Sequence, residues 1–157
     1  MKATVNLEEV LEAIEMRTRD SNYFYNKNTG EIHYITDDEL REAEDDIDIS
    51  EYPEWQQESI KTAIDILSTD DYIKLPDDYE IDDYEIMEDF CYSIEDKELR
   101  NEIIKAIDGK GAFRIFKDKI YEYDLADEWY DYQDKRFREI AIDWCERHVI
   151  EYDENKF

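Results

Sequence analysis

Apolar residues recur at helical steps along most of this chain and alternate with a period of two only briefly. "VNLEEVLEAIEM" sets Val5, Leu7, Val10, Leu11 and Ile14 near helical spacing with glutamates on the other side, which predicts an amphipathic first helix. In "SNYFYNKNTGEIHYIT", aromatic and β-branched residues flank "NKNTGE", whose Asn and Gly accept left-handed backbone angles. That pattern predicts a β-hairpin with strands near 22–26 and 31–36. "TDDE" at 36–39 reads as a capping box, Thr36 capping and Glu39 reaching back, so a short helix leaves the hairpin. An acidic connector, "EDDIDISEYPEW", follows. Pro53 suits the first turn of the next helix, in which Trp55, Ile60, Ala63, Ile64 and Leu67 form a buried stripe. "DDYIKLP" reads as a third short strand, ended by Pro76.

From residue 81 the pattern is helical almost to the end. Tyr84, Met87, Cys91 and Ile94 recur at steps of three and four, as do Leu99, Ile103 and Ile107, and then Phe113, Phe116, Ile120 and Tyr123. The last set is Phe137, Ile140, Ala141, Trp144 and His148, and "DLADEWYDYQ" before it reads as a separate short helix. The fold class is therefore α+β: a mostly helical single domain over 1–157, with a small antiparallel sheet of hairpin plus third strand in its N-terminal half. Its parts are an acidic α/β segment (1–80), a helical segment (81–150) and a short C-terminal tail (151–157).

Charge changes this picture. The 157 residues carry 46 acids against 19 Lys and Arg, a net charge of −27. Disorder would follow if apolar residues were scarce, but 41% of the chain is hydrophobic and 14% aromatic, so it folds. Residues 1–96 hold 30 acids and 7 bases, whereas 97–157 hold 16 and 12. Such a surface forfeits the counterion release that drives nucleic-acid binding and is repelled by anionic lipid, so it argues against direct nucleic-acid binding and membrane association. Basic protein partners are the expected complement. Cys91 and Cys145 lack metal-site spacing and read as buried thiols of a reducing compartment. "MKATVNLEEV" has no apolar run of signal-peptide type, so a cytoplasmic location is expected.

The local exception to the acidity is "DGKGAFRIFKDKI" (108–120). A phosphate loop needs GxxxxGK followed by Ser or Thr after a buried strand, and "GKGAF" has neither that spacing nor the hydroxyl. Gly109 instead ends one helix in a left-handed cap, and Gly111 lets Phe113 and Phe116 begin the next in close contact with it. The following exposed positions nevertheless gather Lys110, Arg114, Lys117 and Lys119, with Lys105 one turn upstream. Together with backbone N–H groups at a helix start, Lys110, Gly111, Arg114 and Lys117 are the candidate anion-binding residues.

Other chemistry is poorly supported. In "DDYEIDDYEIMED", Asp78, Glu80, Asp82 and Asp89 fall at calcium-loop positions, but Asp83 stands where that loop needs glycine for its sharp turn. Cys145 and His148 share a helical face, with only Cys91 and His33 left to complete a zinc site. No GxSxG or other nucleophile motif is present, so the reading is non-enzymatic, with no catalytic residue, metal or cofactor assigned. Tyrosine-rich "DYEIDDY" and "WYDY" are candidate contact surfaces or half-buried core edges.

"TGEI", "YPEW", "YIKLP", "YEIMEDFC", "AIDGKGAFRIFKD", "EWY" and "AIDWC" fall in an order and spacing that resembles the bacterial uncharacterised protein family 0158. The resemblance covers nearly all of the chain, and 109–118 is its most specific piece. Where that family often shows paired arginines, Arg114 is followed here by Ile115. The resemblance implies an intact bacterial cytoplasmic domain and carries over no activity, cofactor or catalytic residue. The expected function is an acidic interaction or regulatory module for a basic partner. Two alternatives stand beside it: anion or phosphate binding (or an enzyme) at the Gly-Lys-Gly helix start, and mimicry of nucleic acid by the acidic surface.

Overall fold

The computed structural model describes residues 4–45 and 47–154, which are mostly helical and divide into two compact units, 1–80 with 140–157, and 81–139. The first unit begins with β1 (Thr4–Asn6) and α1 (Leu7–Met16), followed by β2 (Ser21–Asn26), β3 (Ile32–Thr36) and α2 (Asp37–Glu44). A 3-10 turn at Ile49–Glu51, α3 (Glu54–Ser68) and β4 (Tyr72–Lys74) complete its N-terminal part. In the second unit lie α4 (Asp83–Tyr92), α5 (Lys97–Ala106) and α6 (Ala112–Glu122). Helix α7 (Ala126–Arg147) begins there and ends in the first unit, which closes with β5 (Glu151–Asp153).

The small sheet has the expected antiparallel form. β2 is central, paired with β3 (Tyr23 opposite Tyr34, Tyr25 opposite Ile32) and with β4 (Phe24 opposite Lys74). The hairpin turns through Gly30 at φ 79°, a left-handed angle that glycine adopts without steric cost. α2 starts with the full capping box: Thr36 accepts from the Glu39 amide at 3.2 Å, and Glu39 accepts from the Thr36 amide at 3.1 Å. Under this sheet the first unit buries Val5, Leu7, Val10, Ile14, Tyr25, Ile35, Ile60 and Trp144.

Four expectations from periodicity are corrected. Val5 belongs to β1 and not to the first helix, whose N-cap is Asn6, accepting from the Glu8 amide at 3.0 Å. β1 pairs in parallel with β5, so residues 151–153 are strand, where a tail was expected over 151–157; residues 155–157 lie outside the described residues. Trp55 and Leu67, placed by pattern in the buried stripe of α3, are 79% and 47% exposed, while Ile60 and Ala63 are buried. Five residues at ~100° each put Trp55 about 140° around the helix from Ile60, off that stripe. Finally, "DLADEWYDYQ" is no separate element but runs into one 22-residue helix. No glycine or proline interrupts 126–147, and Trp129, Phe137, Ala141 and Trp144 keep one buried stripe throughout.

The second unit is organised by aromatic rings. Phe116 stands edge-on to Trp129 at 4.8 Å and to Phe90 at 6.1 Å, and Phe90 meets Trp129 at 5.4 Å. Met87, Cys91, Ile103, Ile107 and Ile120 fill the space around them. α4 and α5 start on aspartate caps, Asp82 accepting from the Glu85 amide and Asp96 from the Leu99 amide.

Candidate functional site

The glycine elbow departs from the expected cap: α5 is capped by Ile107 at φ −91°, not by a left-handed Gly109, and both glycines lie in the turn that follows. α5 ends at Ala106, and Gly109 follows at φ 113°, an angle at which an L side chain would be strained. Gly111, at φ 74°, is the N-cap of α6 and offers no side-chain acceptor. Phe116 and Ile120 point into the core, but Phe113 remains 46% exposed and stands edge-on to Tyr84 at 6.4 Å. Tyr84 donates to the Ile107 carbonyl at 3.3 Å, which ties α4 to the end of α5.

Lys110, Arg114 and Lys117 lie on the exposed face of this segment at steps of four and three, and Gly111 lies between the first two. None of the three cations makes an ion pair among the described residues. Arg114 Nη2 lies 3.7 Å from where a Cβ on Gly111 would stand, so the guanidinium bends back over the helix start. Lys119 differs: it meets Glu102 at 3.9 Å and Glu122 at 3.6 Å. Tyr123 donates to Glu102, and that bond pushes the phenol up to about 12. Tyr121 continues the exposed stripe at 60% exposure, its hydroxyl 3.0 Å from that of Tyr130. The stripe therefore alternates cations with aromatic rings. Of the tyrosine-rich segments, Tyr79 and Tyr130 are exposed while Trp129 is core.

A second feature had no signal in the sequence because it joins distant segments. Between α1 and the β2–β3 hairpin runs a groove of about 650 Å³ lined by Glu9, Glu12, Met16, Tyr23, Glu31 and His33. No lysine or arginine lines it. Met16 is 67% exposed, and Tyr23 stacks edge-on with exposed Tyr34 at 5.3 Å. His33 Nε2 lies 3.6 Å from Glu31. The groove thus offers apolar area beside three carboxylates.

The carboxylates of the calcium-like stretch have other partners. Arg17 Nε donates to Asp78 at 2.8 Å, Arg147 reaches Glu80 at 3.4 Å, Asp82 caps α4, Asp83 opens it, and Arg136 binds Asp89 at 2.8 Å. Among the described residues no three His, Cys, Asp or Glu side chains are grouped so that they could hold a metal ion. His148 stacks on Trp144, and His33 meets Tyr72 edge-on.

Cys91 and Cys145 are free and buried, and burial pushes both thiols up to about 11. The neutral thiol is the form the fold prefers. Its stabilising contribution is complete below the unfolded thiol pKa of ~8.5 and is lost as pH climbs toward the folded value. Urea midpoints should therefore fall as pH is raised through ~9 to ~11. Iodoacetamide at about pH 8 should leave both thiols unmodified until denaturant is added, because the thiolate is the nucleophile.

The fold and its charge distribution define an acidic, predominantly helical α+β protein, and no helix among the described residues is long and apolar enough to cross a membrane. The chain belongs to the uncharacterised protein family UPF0158, whose model matches residues 2–155. A UPF0158 protein of Pseudomonas aeruginosa is 34% identical over 67 residues, a stretch that spans 42% of this chain and 44% of that protein. No solved structure matches the chain.

Proposed function

We propose that the protein is a non-enzymatic interaction module whose first unit captures a basic segment of a protein partner. The groove between α1 and the hairpin carries this reading: three carboxylates line it beside exposed Met16 and half-buried Tyr23, and no lysine or arginine lines it. Methionine adapts to irregular apolar stems, and the carboxylates suit the charged ends of lysine or arginine. The first unit as a whole holds 28 acids and 9 bases, so a cationic partner is also steered toward it.

Calorimetric titration with a lysine- and arginine-rich peptide tests the reading. Replacing Glu9, Glu12 and Glu31 together by glutamine should weaken binding about tenfold or more, since several charge-assisted contacts are lost at once. In heteronuclear NMR the perturbed signals should centre on Met16, Tyr23 and His33. Perturbations spread evenly over all acidic surfaces, or unchanged affinity in the triple variant, would remove the groove from consideration.

A second reading, capture of a small anion by Lys110, Gly111, Arg114 and Lys117, is favoured by the guanidinium of Arg114 folded over an uncapped helix start. Heat on titration with phosphate or nucleotides, lost in Arg114→Ala, would support it; silence with both would end it.

A further inference from the structure

We infer that this chain associates with a second copy of itself, the basic stripe of α6 docking on the acidic face of α3. The inference is separate from the groove and rests on two solvent-facing helix surfaces whose charges complement each other. On α6 the basic stripe is Arg114, Lys117 and Tyr121, with Phe113 at its edge and Lys110 just before the helix, and exposed Asp118 and Glu122 flank it. On α3 the exposed residues are Glu54, Trp55, Glu58, Lys61, Asp65, Leu67 and Ser68, Glu58 lying 3.9 Å from Lys61. Each face carries like charges one turn apart, Glu54 and Glu58 on one, Arg114 and Lys117 on the other. Each also exposes large aromatic residues, Trp55 on α3 and Phe113 and Tyr121 on α6. Tryptophan and arginine are the residues that most often dominate association energies.

The α6 face is also electrostatically unfinished. The other six helices all carry an acid in the first turn, whereas α6 has none. Its positive helix end instead sits between Lys110 and Arg114, so an incoming carboxylate there gains from both the dipole and the side chains. The α3 face, with Glu54 and Glu58 beside an exposed indole, supplies such carboxylates and a ring that guanidinium groups stack on. A long polyanion is the poorer fit, because beyond the stripe it would run along a chain of net charge −27.

The same net charge gives the association a distinctive salt response. At ~10 mM salt the Debye length is about 30 Å and whole molecules repel; at ~150 mM it is about 8 Å, which screens that repulsion but leaves contacting pairs attractive; at ~1 M, about 3 Å, the pairs weaken too. Association should therefore pass through a maximum at intermediate salt.

Sedimentation velocity of the full chain at several hundred micromolar, at these three salt levels, is the test. The wild type should self-associate most at the intermediate level. Glu58→Lys and Lys117→Glu should each weaken association about tenfold, and the double exchange should restore it, because the pair is reversed but kept. Both positions are exposed, so the variants should keep the wild-type melting temperature, which is measured alongside. A wild type that stays monomeric at all three salt levels overturns the inference. So does association insensitive to both single exchanges, or a double exchange that fails to restore it. A monomer whose α6 stripe binds an added acidic peptide would assign that stripe to another protein and overturn it as well.

Discussion

Trp144→Ala is expected to lower folding stability by about 4 kcal/mol, within the range for deleting a large buried ring. Trp144 is fully buried and heads the largest buried side chains of the molecule. Its ring stands edge-on to Tyr25 at 6.0 Å, and its Nε1–H donates to the Lys74 carbonyl at 2.9 Å. One side chain thus holds α7 to β2 and to edge strand β4. Alanine would leave a cavity, remove the ring pair and strand a backbone acceptor together. Trp144→Phe separates these losses: it keeps most of the packing, drops the donor and should cost ~1–3 kcal/mol. Against typical total stabilities of ~5–15 kcal/mol, the alanine variant should be partly unfolded under mild conditions. Urea unfolding followed by circular dichroism measures both. A loss below ~1 kcal/mol in the alanine variant would contradict the packing described here.

Local rules were legible where neighbouring residues decide the structure. The hairpin, the capping box at Thr36 and the third strand needed only alternation, turn residues and cap chemistry, all within a few positions of one another. Parallel pairing of β1 with β5 was not legible, because Thr4–Asn6 and Glu151–Asp153 are three-residue strands from opposite ends of the chain, with no turn between them to announce the pairing. Periodicity also misjudged aromatic residues. Trp55 and Phe113 were placed with core positions by their spacing, yet both are exposed: Trp55 lies off the buried stripe of α3, whereas Phe113, only ~20° around α6 from buried Ile120, sits in the first turn of the helix. The candidate sites divide in the same way. Lys110, Arg114 and Lys117 were visible because they lie within eight consecutive positions at the start of one helix. The groove of Glu9, Met16 and Glu31 was not, because it exists only once α1 lies against the hairpin.

Phe116→Ala should cost the second unit about 4 kcal/mol, for a reason of scale as well as packing. A unit of roughly 60 residues buries a small share of its surface and has little stability to spare. Phe116 is almost fully buried and shares an edge-to-face cluster with Phe90 and Trp129. Each such pair contributes ~0.5–1.5 kcal/mol beyond the area it buries, so alanine removes two pair terms along with the ring volume. Phe116→Leu retains most of the apolar volume and should cost ~1–2 kcal/mol, the difference between the variants reporting the ring contacts themselves. A double-mutant cycle of Phe116→Leu with Trp129→Leu should then give a coupling of ~0.5–1.5 kcal/mol. Amide exchange should quicken first in α4 and α6, the helices that carry Phe90 and Phe116. Additive losses in the cycle would mean that the rings fill space without recognising one another, and the aromatic cluster would then be a matter of volume alone.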